Sequence, residues 1–262
     1  MIEEILSRIF VTEWLVLVLV SLLLLALAEA GFRFGIRARR KNPEAATGHS
    51  GSVQGAVLGL LGLLLGFSFA MAVGRNDTRR SLAVEEANSI GTTWLRTDFL
   101  PGNHPAEVRN ILRQYTALRL QSADLDRQGD DFKRNAEEAA KLQSALWKHA
   151  TAAAEEKPSP VTVSFITSLN ETLDLQSSRL AARFNHVPSA VWLLLLIVAG
   201  CGAWASGYGS GAGGHRSTFS QIIFPVLIAV VITIISDMDR PHMGLIGVSQ
   251  QPLRDLLESM EK

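Results

Sequence analysis

Side chains able to do chemistry are sparse in this chain, and their spacing argues against most of it. The six histidines, His49, His104, His149, His186, His215 and His242, stand apart, with no two at a metal-ligand spacing. The single cysteine, Cys201, lies between Gly200 and Gly202 and has no second thiol to bridge, so it reads as a small packing residue. Glu85 and Glu86 are adjacent, and neighbours on a helix point in different directions, which makes them a poor acid–base pair. They fit a solvated or salt-bridged face, where Glu85 and Asn88, three residues apart, could hold an interhelix network. Asp237 and Asp239 alternate with Met238 before Arg240 and Pro241; two carboxylates fall short of the six or more oxygens calcium takes, and a turn held by Asp–backbone bonds is the better expectation. Gly207-Tyr208-Gly209-Ser210-Gly211 has no Walker lysine and follows an apolar run rather than a strand. Gly66-Phe67-Ser68-Phe69-Ala70 has the outline of a nucleophile elbow, but it too lies within an apolar run. No acid, base, nucleophile or metal set converges, so neither an enzyme nor a cofactor or metal site is expected.

The patterned residues are of another kind. Residues 53–73 carry no formal charge and end at Arg75, Asn76, Asp77, Arg79 and Arg80. Within them Gly55, Gly59, Gly62 and Gly66 share one face at 3.6 residues per turn, a smooth side suited to close helix contact. If several copies met around this helix, the offset Leu63 and Phe67 would point inward, and rings of apolar side chains can gate by dewetting. Arg75, Arg79 and Arg80 would anchor the helix to lipid phosphates or form an electropositive vestibule, with Asp77 and Arg80 close enough along the helix to pair.

Four apolar blocks must position these residues. They span about 10–28, 53–73, 187–205 and 219–235, each near the ~20 residues that cross ~30 Å of hydrocarbon. Apolar residues make up 47% of the chain and concentrate in these blocks. Ala28-Glu29-Ala30 mimics a signal-cleavage pattern, but the leader holds Glu3 and Glu4 and only Arg8, so the first block reads as a retained membrane helix. The expected class is an all-α integral membrane protein with four transmembrane helices and a helical bundle inserted between the second and third. Its parts are a first transmembrane pair (1–73), a helical extramembrane domain continuous with spans two and three (74–187), a second transmembrane pair (188–236) and a C-terminal tail (237–262). With 25 basic and 25 acidic residues, no net field favours nucleic acid.

Residues 74–100 read as a helical continuation of span two, stopped by Pro101-Gly102. Asn103 or His104 then caps a helix opening at Pro105, with Val108, Ile111, Leu112, Tyr115 and Leu118 as its apolar face. A third helix covers 131–155 on Ala139, Leu142 and Leu146. Ser159 and Pro160 open a fourth, whose buried face is Phe165, Leu169, Leu173, Leu180 and Phe184. Residues 32–51 form a basic connector, residues 206–217 a Gly-rich one without regular structure, and residues 252–258 a short tail helix. Charge does not settle orientation: the first connector plus Arg216 holds six cations near membrane ends, and the opposite side holds eight.

Residues 58–72 (LGLLGLLLGFSFAMA), 79–88 (RRSLAVEEAN), 95–101 (LRTDFLP), Asp239-Arg240-Pro241 and 244–253 (GLIGVSQQPL) closely resemble the bestrophin-like domain family of bacterial membrane proteins. The family is in turn remotely similar to bestrophins, pentameric ion channels that are mostly anion-selective. On that resemblance Leu63 and Phe67 occupy two neck positions, while Gly59 stands where bestrophins carry a bulky apolar residue, a departure that widens one ring. The dense acidic calcium clasp of animal bestrophins is missing. The resemblance implies a pentamer in the bacterial inner membrane, with both termini and the helical domain cytoplasmic and inorganic ions as ligands. Two readings follow: a homo-oligomeric ion channel lined by span two, or a non-conducting scaffold or sensor whose helical domain binds a partner.

Overall fold

The computed structural model describes residues 2–41, 50–123, 125, 130–240 and 246–261. The elements, in order, are α1 (Ile2–Lys41), α2 (Ser50–Arg96), a 3-10 turn (Thr97–Phe99), α3 (His104–Ala123), α4 (Asp130–Glu156), α5 (Pro160–Phe184), α6 (Ser189–Gly213), a π-helical turn (Phe219–Ile223), α7 (Phe224–Asp239) and α8 (Gln251–Ser259). No strand occurs among the described residues. They divide into a membrane unit (1–74 and 186–246) and a helical unit (75–185 and 247–262). His49, Pro241, His242, Gly244 and Leu245 lie outside the described residues.

The four apolar blocks are helices long and apolar enough to cross a membrane. Two of them run further than their hydropathy predicts. α1 continues to Lys41, through what reads as a basic connector, and α6 continues to Gly213, through what reads as an irregular Gly-rich one. The glycines explain both corrections. A Cβ placed on Gly31 or Gly35 of α1, or on Gly207 or Gly211 of α6, would lie well under 3.0 Å from the other helix's backbone. Two backbones this close exchange extensive dispersion contact, and two helices whose residues disfavour helix in water hold each other in lipid. Gly214, with φ +79°, ends α6 by donating its N–H to the carbonyls of Ser210 and Gly211, and the Arg39 guanidinium fills the space its missing side chain leaves. Glu29 binds Arg33 at 2.8 Å and Arg216 at 2.6 Å, tying the same pair at its charged end. Cys201 sits on the exposed side of α6, contrary to a packing role, because the buried side carries Gly200, Gly202, Ala203 and Gly207.

Below this pair, Leu24, Ala28, Leu61, Leu195, Ala199, Ala203, Ile228, Ala229 and Ile232 form the buried centre of the membrane unit. α7 opens through a π-helical turn just before Pro225, a residue with no N–H to close onto the preceding turn. At its other end Asp237 and Asp239 are buried and bind backbone. The Asp237 carboxylate accepts from Ile246 N–H at 2.9 Å and so holds the tail, whereas Asp239 accepts from Val187 N–H at 3.0 Å and holds the entry to α6.

In the helical unit the apolar faces pack much as their spacing requires. Val108, Leu112, Leu146, Ala150, Phe165 and Leu169 make one centre, and Ala87, Ile90, Tyr115, Leu118, Ala139, Leu253 and Met260 another. Each fully buried large side chain contributes about 1.5–3 kcal/mol relative to exposure. Ser159 caps α5, accepting from Thr162 N–H at 3.1 Å, with Pro160 in the first turn. Leu180 and Phe184, expected to be buried, are exposed. Arg179 and Arg183 take the inward positions in those last two turns of α5, where Glu86 and the carbonyls of Ser122 and Leu125 receive them.

The close α1–α6 contact yields a sharp expectation. Gly207→Ala should destabilise the protein by about 2 kcal/mol, an overpacking cost, because backbone rather than a flexible side chain stands in the way. Gly51→Ala, at a site with nothing within 4 Å, should melt close to wild type in detergent.

Candidate functional site

α2 is one helix of 47 residues, which at 1.5 Å per residue is roughly 70 Å long. Neither proline nor a run of helix breakers interrupts it before Pro101, where Leu100 turns extended. Its apolar window is the least covered of the four: 17% buried, against 22%, 39% and 33%. The uncovered part holds the residues singled out by pattern. Gly55, Gly59, Gly62 and Gly66 have nothing within 4 Å of where a Cβ would stand. Leu63 is 55% exposed and Phe67 61%. Leu61, Leu64 and Leu65 instead turn toward the other membrane helices.

Past Gly74 the helix sorts its polar residues by direction. Asp77, Thr78, Arg80, Ser81, Glu85, Asn88 and Thr92 are exposed. Thr78, Ser81, Glu85, Asn88 and Thr92 recur at three- and four-residue steps, so they share one face. Ser81 donates its hydroxyl proton to Glu85 at 2.6 Å. Arg75 is half-buried. Arg79 turns away from the others: it is buried and donates to the carbonyls of Ala182 at 3.1 Å and Asn185 at 2.8 Å, at the C-terminal end of α5. A cation there complements the negative end of that helix. Arg96 likewise donates to Ser164 O at 2.9 Å. Asp237 and Asp239 are the last buried residues of α7, and Arg240 caps it.

The opposite face of α2 carries residues that spacing alone did not single out. Glu86 is fully buried, with Arg119 Nε 2.7 Å from one carboxylate oxygen and Arg179 on the other. Arg179 also reaches Gln250, and Arg113 donates to Met260 O at 2.7 Å, so the tail is fastened to the bundle. Tyr115 donates to Gln176 at 2.7 Å, and Gln143 donates to the same amide oxygen. Burial is the main cause that pushes the Tyr115 phenol up to about 12, with Glu86 raising it further and Arg119 opposing. Arg119 itself is raised: burial lowers it, and Glu86 and Tyr115 outweigh that. One turn on, the hydroxyls of Ser89 and Thr93 meet Thr172 at 2.9 and 3.0 Å. The partners of Glu86 lie 33 and 93 residues away, so no local signal could have found them. Elsewhere His104 and His149, 45 residues apart, come within 3.0 Å. Among the described residues, no group of three or more His, Cys, Asp or Glu side chains is placed to hold a metal ion.

This arrangement, four membrane-length helices with a helical unit built on the extension of the second, has counterparts. The model of the bestrophin-like domain matches residues 13–253. The chain belongs to the bestrophin-like domain family. Crystal structures of a bacterial bestrophin homologue from Klebsiella pneumoniae share its fold: two single-residue variants match at TM-scores of 0.66 and 0.67, with 14% and 15% identity, covering 91% of this chain and 95% of theirs. A crystal structure described only as a membrane protein matches at 0.68 and 13% identity, over 92% of this chain and 96% of its own. No curated protein sequence matches. The bestrophin-like chain is thus an integral membrane protein of known fold.

Two expectations test the buried network. Glu86→Gln leaves two buried guanidinium groups short of a counter-charge and should cost about 3–5 kcal/mol, whereas Glu85→Gln should stay within about 0.5 kcal/mol of wild type in denaturant melts. Tyr115 ionises in the unfolded chain near the ordinary tyrosine value of 10.0 but only at about 12 when folded. Its share of stability is therefore full below the lower value and lost as pH rises through that window. Tyr115→Phe should shift the alkaline unfolding midpoint upward or abolish this component.

Proposed function

We propose that this bestrophin-like protein assembles as a homo-oligomer around α2 and conducts ions. The observation that carries the reading is the uncovered face of α2: glycines with open space beside them next to exposed Leu63 and Phe67, in an apolar stretch of which 17% is buried. In lipid an exposed Leu or Phe costs nothing, but a stripe of small residues gains by receiving a neighbouring helix. On this reading Gly55, Gly59, Gly62 and Gly66 seat the adjacent copy, and Leu63 and Phe67 form the constriction. Gly59, smaller than the residue bestrophins place there, leaves one ring wide. The family resemblance supports five copies, an inner-membrane location and a cytoplasmic helical unit.

The charged approach reads differently from an arginine vestibule. Arg79 and Arg96 are engaged with carbonyls, and Asp77 and Arg80 lie beside the row rather than on it. The exposed row of Thr78, Ser81, Glu85, Asn88 and Thr92 carries one formal charge, and it is negative. Repeated around an axis, such a row favours cations, since grooves lined by one sign concentrate counter-ions by roughly tenfold or more.

Purified protein should cross-link as a closed oligomer in detergent and pass current in a planar bilayer, with Phe67→Ala changing conductance. In a salt gradient the reversal potential should lie on the cation side and move toward zero in Glu85→Gln. Silence from a well-folded oligomer would overturn conduction and leave a scaffold or sensor. An anion-side reversal would overturn only the assignment of the ion.

A further inference from the structure

We propose that the outward face of α1 beyond Ala30 is a binding surface for anionic lipid headgroups, built from Arg33, Phe34, Arg37, Arg40 and Lys41. The helix itself marks where the hydrocarbon ends. Ala28, Gly31, Phe32 and Gly35 are buried against α6. On the opposite side Leu15, Leu19, Leu22 and Leu23 are exposed, and in a membrane-crossing helix such leucines face acyl chains. At 3.6 residues per turn, Arg33, Arg37, Arg40 and Lys41 continue that same side, and all four are exposed. One face of one helix therefore passes from leucine to cation. Arg33 and Arg37 are about 6 Å apart along the axis, close to the depth of the headgroup layer on one side of a bilayer, about 5–8 Å. Arg40 and Lys41 stand about a turn further out, and their long stems reach back to the same layer.

Little at this end offsets the charge. Among the described residues one carboxylate stands here, Glu29, and it is shared by Arg33 and Arg216. Arg39 turns inward and fills the space beside Gly214. Arg216, 187 positions from Glu29 in sequence, lies over the Phe32 ring at 4.8 Å. These contacts hold the rim in place without neutralising it. Arg37, Arg40 and Lys41 pair with no carboxylate among the described residues. Counting Arg33, Arg39 and Arg216 with them, six cations face one acid.

Phe34 gives the surface its second half. It is exposed, and the Arg37 guanidinium lies over its ring at 5.8 Å. Such a pair suits the boundary of a bilayer, with the ring toward the acyl chains and the cation toward the phosphates. A soluble anion has no use for the ring or for the leucines below it, so the occupant is a lipid. Its charge follows from the excess of cations. A zwitterionic headgroup brings its own ammonium and cancels nothing. A headgroup of the phosphatidylglycerol kind brings a net negative charge, and its phosphate oxygens accept guanidinium N–H groups in pairs. Each cation near an anionic lipid surface raises binding by roughly fivefold. The assignment is independent of conduction and holds whether or not copies meet around α2.

The test loads the full chain in detergent with an equimolar mixture of phosphatidylglycerol and phosphatidylcholine and identifies the first lipid retained by native mass spectrometry. Wild type should prefer phosphatidylglycerol by about tenfold or more. Loading in about 1 M salt, where the Debye length falls to about 3 Å, should bring the two lipids close to parity. The triple variant Arg37→Gln, Arg40→Gln, Lys41→Gln leaves the contacts of Glu29, Arg39 and Arg216 in place and should lose most of the preference. Arg80→Gln, at the exposed cation past the other end of the α2 apolar run, should keep it. Inorganic phosphate added during loading should not displace the lipid. Equal retention of the two lipids by wild type, or an undiminished preference in the triple variant, would overturn the surface. Displacement by inorganic phosphate would replace it with a site for soluble anions. Should the triple variant fail to fold, Arg37→Gln alone decides: it should reduce the preference by about fivefold, and an unchanged ratio sinks the assignment.

Discussion

The membrane unit turns on the contact between the α1 and α6 backbones. Four glycines, Gly31, Gly35, Gly207 and Gly211, let two helices approach until carbonyls and Cα atoms touch, where any side chain would force them apart. Water supplies no drive for helix association inside a bilayer, so packing of this closeness, with Glu29 binding Arg33 and Arg216 at one end, holds the pair. α7 then closes over Leu24, Leu195 and Ala199. The consequence falls on α2. With α1, α6 and α7 satisfied largely by one another, α2 touches them along a single edge that includes Leu61 and leaves its own glycine face open.

The same helix leads a second life in the helical unit, where its faces divide by charge. Glu86 enters the bundle and receives Arg119 and Arg179; Glu85, one residue away and a hundred degrees round, stays outside with Ser81. Arg79 goes in to meet the carbonyls ending α5, and Arg80 stays out. Burying a carboxylate between two guanidinium groups is favourable only if each hydrogen bond is made, and Glu86 has a guanidinium on each oxygen. Such a network adds less to net stability than to uniqueness: a slip of α2 by one residue would bury Glu85 or Ala87 against two arginines. This sorting also removes positive charge from the exposed row and leaves Glu85 as its one formal charge.

Segments distant in sequence are fastened by side-chain hydrogen bonds as well as by apolar burial. Asp239 holds the entry to α6, Asp237 holds Ile246, and Arg113 and Arg179 hold α8 and the residue before it. Aspartates in this position would read as metal ligands in a different setting, yet each is buried and accepts a backbone N–H, which is a sufficient reason for its presence.

Much was readable from residue order because membrane physics is local. A run without charge must be a helix in lipid, proline and serine at 158–160 must break one helix and open the next, and periodic apolar positions such as Val108, Leu112 and Tyr115 must face a core. The family motifs were equally contiguous. What the tertiary structure alone decided depends on meetings across long separations. Gly207 and Gly211 look like loop residues until Ala28 and Phe32 stand against them. Leu180 and Phe184 look buried until Arg179 and Arg183 claim the inward side. Glu86 reads as part of a solvated or salt-bridged face, and only packing names its partners, Arg119 and Arg179, 33 and 93 residues away; His104 and His149 look unrelated until two helices set their nitrogens face to face. Periodicity assigns a residue to a face of its own helix; only the packed chain decides what that face meets.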